Sequence, residues 1–163
     1  MSLDSLQKLL VEELSDLYSA EKQITEALPK MVEAASSKDL RKAFESHLKQ
    51  TERHLERLDK VFEALGERPS GKSCKAMEGI IAEGKEILKE DAEDAVRDAA
   101  LIAAAQRVEH YEMAGYGTAR TFAKQLGHKA EAELLQTTLD EEGATDEKLT
   151  RLAEGHINED AAQ

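Results

Sequence analysis

Four stretches of this chain space their apolar residues as helices do, and each stripe is broken near its middle by an ionisable side chain. In the first stretch, Leu3, Leu10, Leu17, Ile24 and Met31 recur every seven residues, and a neighbouring row holds Leu14, Glu21, Leu28 and Ala35. Together the rows form one buried face. Glu21 stands where a leucine is expected, and a carboxylate among apolar side chains is costly unless it is paired or binds a metal.

This first helix is predicted from about Asp4 to Ala35, kinked at Pro29. A short link, Ser36-Ser37-Lys38-Asp39, gives Ser36 and Asp39 the spacing of a capping box. The second helix runs from about Asp39 to Leu65. Its inner stripe is Leu40, Phe44, His47, Thr51, His54, Leu58, Val61 and Leu65, and Gly66 with Pro69 beyond it ends the run. Residues 66–75, GERPSGKSCK, read as a loop, and 76–90 as a shorter helix. A third long helix is expected from about Asp91 to Gln125, with Ala95, Ala99, Ile102, Gln106, Glu109, Met113 and Tyr116 on one stripe and Gly127 as terminator. The fourth spans about Lys129 to Ile157, with Leu135, Thr138, Glu142, Thr145, Leu149 and Leu152 inward.

Short links make each pair of long helices antiparallel, and the long connection lets the two hairpins dock side by side. The expectation is an all-α, ferritin-like four-helix bundle: one domain over residues 1–163, with an extra short helix in the crossover.

Depth along the bundle gives the polar interruptions a common meaning. At ~1.5 Å of rise per residue, Glu21 and His54 lie at about the same distance from the first turn. Glu109 and Glu142, with Asp146 a turn further on, do so from the second. Both hairpins separate their central polar residues, Glu21 from His54 and Glu109 from Glu142, by 33 positions. Carboxylates and imidazoles projecting inward from four helices are what a dinuclear iron or manganese centre needs. Glu109 with Glu112, and Glu142 with Asp146, have the spacing that lets two residues of one helix reach one centre. The candidate ligands are therefore Glu21, His54, Glu109, Glu112, Glu142 and Asp146. His47, two turns from His54, is expected at the periphery, and Asp16 and His110 flank the stripes as residues that could orient ligands.

Composition narrows the field. The 163 residues carry a formal net charge of -12, which argues against a nucleic-acid partner and against a DNA-binding cage. The terminal segments MSLD and DAAQ add no basic tail. One cysteine, Cys74, rules out an intrachain disulfide; it stands in a polar loop near Lys72 and Lys75, whose charges act to lower its pKa, and a passive thiol is expected rather than a redox switch. No run approaches the ~18 apolar residues of a membrane span, and MSLDSLQKLL lacks the pattern of a secretory leader, so a cytoplasmic setting is expected.

Six segments carry a resemblance over almost the whole chain: ELSDLYSAEKQ (13–23), LPKM (28–31), AFESHLKQT (43–51), KAMEGIIAEG (75–84), VRDAALIAAAQRVEHYEMAGYGT (96–118) and LDEEGATDEKL (139–149). The chain resembles the YciE/YciF-type ferritin-like bacterial stress proteins. That resemblance implies a homodimer, a di-metal site and a link to stress responses, without a settled reaction. Val32, Leu48 and Phe62, off the core rows, are the apolar residues expected to supply a dimer interface. One departure from more distant rubrerythrins and bacterioferritins stands out. Their second and fourth helices each use Glu-x-x-His, whereas this chain offers Thr51-x-x-His54 and Glu142-x-x-Thr145.

Two functions follow. One is a di-iron or di-manganese protein that handles iron or reduces O2 or H2O2. The other is a metal-free structural or interaction protein in which the inward polar residues form a network fixing register. On the second reading Glu21 pairs with a cation such as Arg107 or Arg120, and His54 is a satisfied core histidine.

Overall fold

A computed structural model describes residues 3–163. Met1 and Ser2 lie outside the described residues, so the leader reading of the first ten residues is only partly covered. The helices are α1 (Leu6–Ala34), α2 (Lys38–Leu65), α3 (Lys75–Ile87), α4 (Asp94–Gln125), α5 (Lys129–Leu152) and a short α6 (Asn158–Ala161). Between α5 and α6 the backbone opens into a π-helical turn over Ala153–Ile157, within the span expected to be α-helical.

The helix ends follow local chemistry. Ser5 caps α1 by accepting the Lys8 N–H at 3.2 Å. α1 then runs unbroken through Pro29. Gly66, at φ 69°, and Gly127, at φ 87°, take the left-handed conformation that lets a chain leave a helix. At each, paired N–H groups bond back onto the last turn: Gly66 and Glu67 to Glu63 and Phe62, Gly127 and His128 to Lys124 and Ala123.

The first turn departs from expectation. Ser37, not Ser36, caps α2. The acid that satisfies this turn is Asp98 of α4 rather than Asp39: its buried carboxylate accepts the N–H of Ser36 at 2.8 Å and of Ser37 at 2.7 Å. Charge-assisted bonds of this kind are the strong class, and these tie the first hairpin to the second.

α1 and α2 form one antiparallel hairpin and α4 and α5 the other. α1 lies antiparallel to α4, with Tyr116 meeting Glu21 and Asp98 meeting Ser36. α2 lies antiparallel to α5, with Arg57 meeting Thr138 and Gln50 meeting Thr145. The crossover carries α3 over α1 and α4.

The core is split along the bundle axis. One apolar cluster holds Leu10, Leu14, Leu17, Leu58, Val61, Ala119 and Leu135; the other holds Ile24, Leu28, Phe44, Met77, Leu101, Ile102 and Leu149. Each fully buried aliphatic of this kind contributes roughly 1.5–3 kcal/mol. Between the two clusters fall the buried ionisable residues Glu21, His47, His54, Glu109, Glu112 and Glu142 of the four long helices.

Three apolar expectations change. Leu3 lies before α1 and is 57% exposed. On α4 the buried seam is Asp98, Ile102, Ala105, Glu109, Glu112, Tyr116, Ala119 and Ala123, so Gln106 and Met113 fall at its flank. Phe62 is buried and packs edge-to-face on Tyr18, with ring centroids 6.1 Å apart, which removes it from any interface; Leu48 and Val32 are half-buried against their own core.

Candidate metal centre

Between the apolar clusters, six side chains converge: Glu21 of α1, His47 and His54 of α2, Glu109 and Glu112 of α4, and Glu142 of α5. They form two groups, Glu21–His54–Glu142 and His47–Glu109–Glu112–Glu142, each offering one donor atom per residue within 4.8 Å of the others. Glu142 belongs to both. All six are at most 3% exposed.

The two halves are built differently. His54 Nδ1 lies 2.9 Å from Glu142 Oε1 and 3.2 Å from Glu21 Oε1, aligned as a hydrogen bond to neither. Its Nε2 is 2.9 Å from Glu141 Oε2, and Arg57 clamps Glu141 with two bonds of 2.8 Å. Tyr116 Oη donates to Glu21 Oε1 at 2.5 Å. In the other half, His47 Nε2 approaches Glu109 Oε1 at 3.0 Å without hydrogen-bond alignment. Ten buried donor atoms of the six side chains have no hydrogen-bond partner among the described residues, including both oxygens of Glu109, Glu112 and Glu142 and both nitrogens of His47. Native interiors leave few such groups, and each calls for an explanation.

Electrostatics reflects the crowding. Burial, then the Glu142 charge, pushes Glu109 and Glu112 well above the usual 4.5. Burial raises Glu21 as well, against the lowering effect of His54 and Tyr116. Burial lowers His47 from 6.5. For His54 burial works the same way, but Glu142 and Glu21 outweigh it and lift the imidazole to about 10. Glu142 is its counterpart: burial opposes ionisation, yet His54 holds it down at about 2. Without a bound cation, the cluster is thus one ion pair, His54 with Glu142, among side chains that favour neutrality.

Five of the six residues expected as ligands meet here: Glu21, His54, Glu109, Glu112 and Glu142. Asp146 does not. Its carboxylate accepts from the Gln106 amide at 3.1 Å and lies 3.3 Å from exposed His110, outside both groups. His47 enters instead. Its place on the same buried stripe as His54 is the sequence signal for it. The cations proposed for Glu21 are elsewhere: Arg107 is exposed, and Arg120 bonds Gln136 at 2.6 Å. Asp16 serves no ligand but accepts from Tyr111 and from Cys74 Sγ. Cys74 is fully buried, caps α3, and has its thiol pushed up by burial, against the lowering expected from the lysines of its loop.

An antiparallel pair of helical hairpins with one long crossover, carrying carboxylates and imidazoles at mid-bundle, defines the ferritin-like class. Comparison with known proteins agrees. Residues 5–162 match the family described as a domain of unknown function, DUF892. The chain is 48% identical to protein YciF of Escherichia coli (strain K12) over 162 residues, covering 99% of this chain and 98% of YciF. It belongs to this family, the YciE/YciF-type ferritin-like proteins. The crystal structure of the E. coli stress protein YciF superposes with a TM-score of 0.93, covering 96% of this chain and 99% of that one. YcfI of Rhodopseudomonas palustris follows at 0.88 and 47% identity, covering 92% and 97% of the two chains. A structure described as ferritin-like, diiron-carboxylate, from Bacillus anthracis str. Ames, is 20% identical with a TM-score of 0.70 over 93% of this chain and 99% of that one, a likeness of fold.

Proposed function

We propose that the mid-bundle cluster is a dinuclear iron or manganese centre, and that the protein uses it to handle iron or to reduce O2 or H2O2 during stress, as a homodimer. The carrying observation is the set of ten partnerless buried donor atoms at the meeting point of four helices. Such a set is costly when empty and well suited to two divalent cations.

Glu21 and His54 would hold one cation, His47, Glu109 and Glu112 the other, with Glu142 shared. The donor inventory favours this. Four carboxylates and two imidazoles are the complement of a ferritin-like di-metal site, here distributed differently among the helices. Thr51 and Thr145 take no ligand role: each hydroxyl donates to the carbonyl one turn earlier. His47 and the Glu109/Glu112 pair make up the number. Four carboxylates also balance two divalent charges. Such metals supply one-electron chemistry toward oxygen species; the protein supplies a dry, pre-formed cradle.

Elemental mass spectrometry on gel-filtered protein, expressed with iron and manganese supplied, tests the proposal. The expected result is about two Fe or Mn per chain, the number such a site holds, lost when Glu21→Ala and Glu142→Ala are combined. Metal content unchanged by that pair of substitutions would sink it.

The second reading, a metal-free structural protein, draws on the His54–Glu141–Arg57 contacts, which satisfy part of the cluster without a cation. Equal thermal stability with and without Fe(II) or Mn(II) would favour it, because a specific ligand stabilises the fold it binds.

A further inference from the structure

Beside the cluster lies a partly open cavity of about 50 Å³, lined by α1, α3 and α4 with His47 of α2. Ile24, Ile81, Ala105 and Val108 wall it. Its inner end reaches His47 and Glu109, both buried and carrying partnerless donor atoms, and the exposed side chains of Lys30 and Lys85 border its outer end. It is an apolar pocket bordered by exposed side chains on one side and by one half of the candidate centre on the other.

The geometry points to this cavity as an entry and holding site for dioxygen, delivering it to the His47–Glu109 side and making O2 rather than H2O2 the oxidant the centre takes. The inference rests on the di-metal reading of that site. Size and lining carry it. A water needs ~10–15 Å³ on this measure and two to four polar partners; cavities without those partners stay dry and take apolar ligands such as xenon. A cavity of about 50 Å³ has room for a diatomic molecule or a xenon atom, but its wall supplies no polar partner before the inner end. Hydrogen peroxide would surrender its hydrogen bonds with water to enter, at a cost of roughly 2–7 kcal/mol for each polar group left unpaired. Dioxygen surrenders none.

Pressurised dioxygen is the direct probe. The full chain is held metal-free, so that O2 is the sole paramagnet, and methyl relaxation is measured by NMR. The expected result is several-fold greater enhancement at Ile24, Ile81 and Val108 than at Leu14 and Leu58 in the other apolar cluster, with xenon shifting the same methyls. Ala105→Leu fills the cavity and abolishes both effects. Should it fail to fold, Val108→Ile adds a single methylene and reduces them. Enhancement equal at all buried methyls overturns the inference.

In the iron-loaded protein, either oxidant draws one electron from each of two ferrous ions and takes up two protons, O2 leaving as H2O2 and H2O2 as two waters. Ala105→Leu is expected to slow oxidation by O2 and spare oxidation by H2O2; equal slowing of both overturns the assignment of O2. Iron uptake intact without selective methyl relaxation defeats this inference alone. Selective relaxation without metal uptake defeats the di-metal reading and leaves a gas-binding cavity with no centre to serve.

Discussion

The imidazole of His54 is held from behind by Glu141: Nε2 lies 2.9 Å from Oε2, while Nδ1 faces Glu21 and Glu142. With Nε2–H donating to the carboxylate, Nδ1 is the nitrogen aimed at the centre. A metal-binding histidine is usually fixed by such a partner. Arg57 in turn holds Glu141, and the pair keeps its carboxylate below the usual range: burial pushes the other way, but Arg57 and His54 prevail. Glu141→Gln should therefore weaken metal affinity about 10–100-fold while leaving the fold intact. Chelator competition on refoldable protein measures this, and affinity equal to that of the unaltered protein would remove Glu141 from any orienting role.

Metal loading should release protons. Burial and neighbouring carboxylates push Glu109 and Glu112 well above 4.5, so they give up their protons less readily, and His54, lifted to about 10, carries a proton that Nδ1 must lose to bind a cation. Affinity should rise with pH above 4.5, as these groups release their protons to the incoming metal. Calorimetry in buffers of different ionisation enthalpy counts the protons; a pH-independent affinity would contradict the assignment.

The metal-free fold should respond in the opposite sense. His54 is raised from 6.5 to about 10, so its stabilising contribution is complete below 6.5 and is lost as pH climbs toward 10. Glu109 and Glu112, raised from 4.5, favour the fold when protonated and cease to do so as pH rises above that value. Glu142, lowered from 4.5 to about 2, stabilises above 4.5 and is lost below it. The apoprotein should thus be most stable near pH 5, its melting temperature falling toward pH 9. Added metal should restore stability most at the alkaline end. An apoprotein whose melting point rises from pH 5 to 9 would contradict this balance.

The helices and the depth of the buried polar cluster are legible in the sequence because they depend on local rules. Period, caps and turn glycines marked the four long helices, and helical rise placed Glu21 level with His54. What escaped depends on rotation about a helix axis and on partners distant in sequence. The α4 seam is turned by about one position from the stripe through Gln106 and Met113, and alanine-rich sequence shows little contrast between adjacent faces. That rotation brings Glu112 squarely inward. Asp98 as a turn clamp and Glu141 as the partner of His54 are invisible in the sequence, because each contacts a residue more than sixty positions away. Cys74 stands in a polar segment, which gives no sign that its side chain is buried against Tyr111 and Asp16.

That burial gives Cys74 a testable property. Its thiol lies 3.1 Å from both Asp16 Oδ2 and Tyr111 Oη, and burial raises it above the ordinary 9.0. The thiolate is the reactive form. Ellman's reagent at pH 8 should label the native chain far more slowly than the denatured one, where one thiol per chain reacts at once. Rapid native labelling would place Cys74 at the surface.

Two glycines inside helices should answer alanine in opposite ways. A Cβ at Gly143, beside Glu142 on α5, meets nothing within 4 Å. Gly143→Ala should therefore recover the helix propensity that glycine forfeits, up to ~1 kcal/mol. In a chain of this size that is a rise of roughly 2–4 °C in melting temperature. A Cβ at Gly115 on α4 would lie 2.7 Å from Leu17 Cδ2 and 3.4 Å from its Cγ. Leu17 is 1% exposed and packed on all sides, so its terminal methyl has little room to retreat. Overpacking of this kind costs typically 1–3 kcal/mol, at least offsetting the same propensity gain. Gly115→Ala should lower the melting temperature, and it should do so by opening the α1–α4 contact next to Tyr116 and one turn from Glu112. Chemical denaturation of both variants without metal separates the two effects. Stabilisation by Gly115→Ala comparable to that by Gly143→Ala would mean that α1 and α4 are not in the close contact that brings Glu21 against Tyr116.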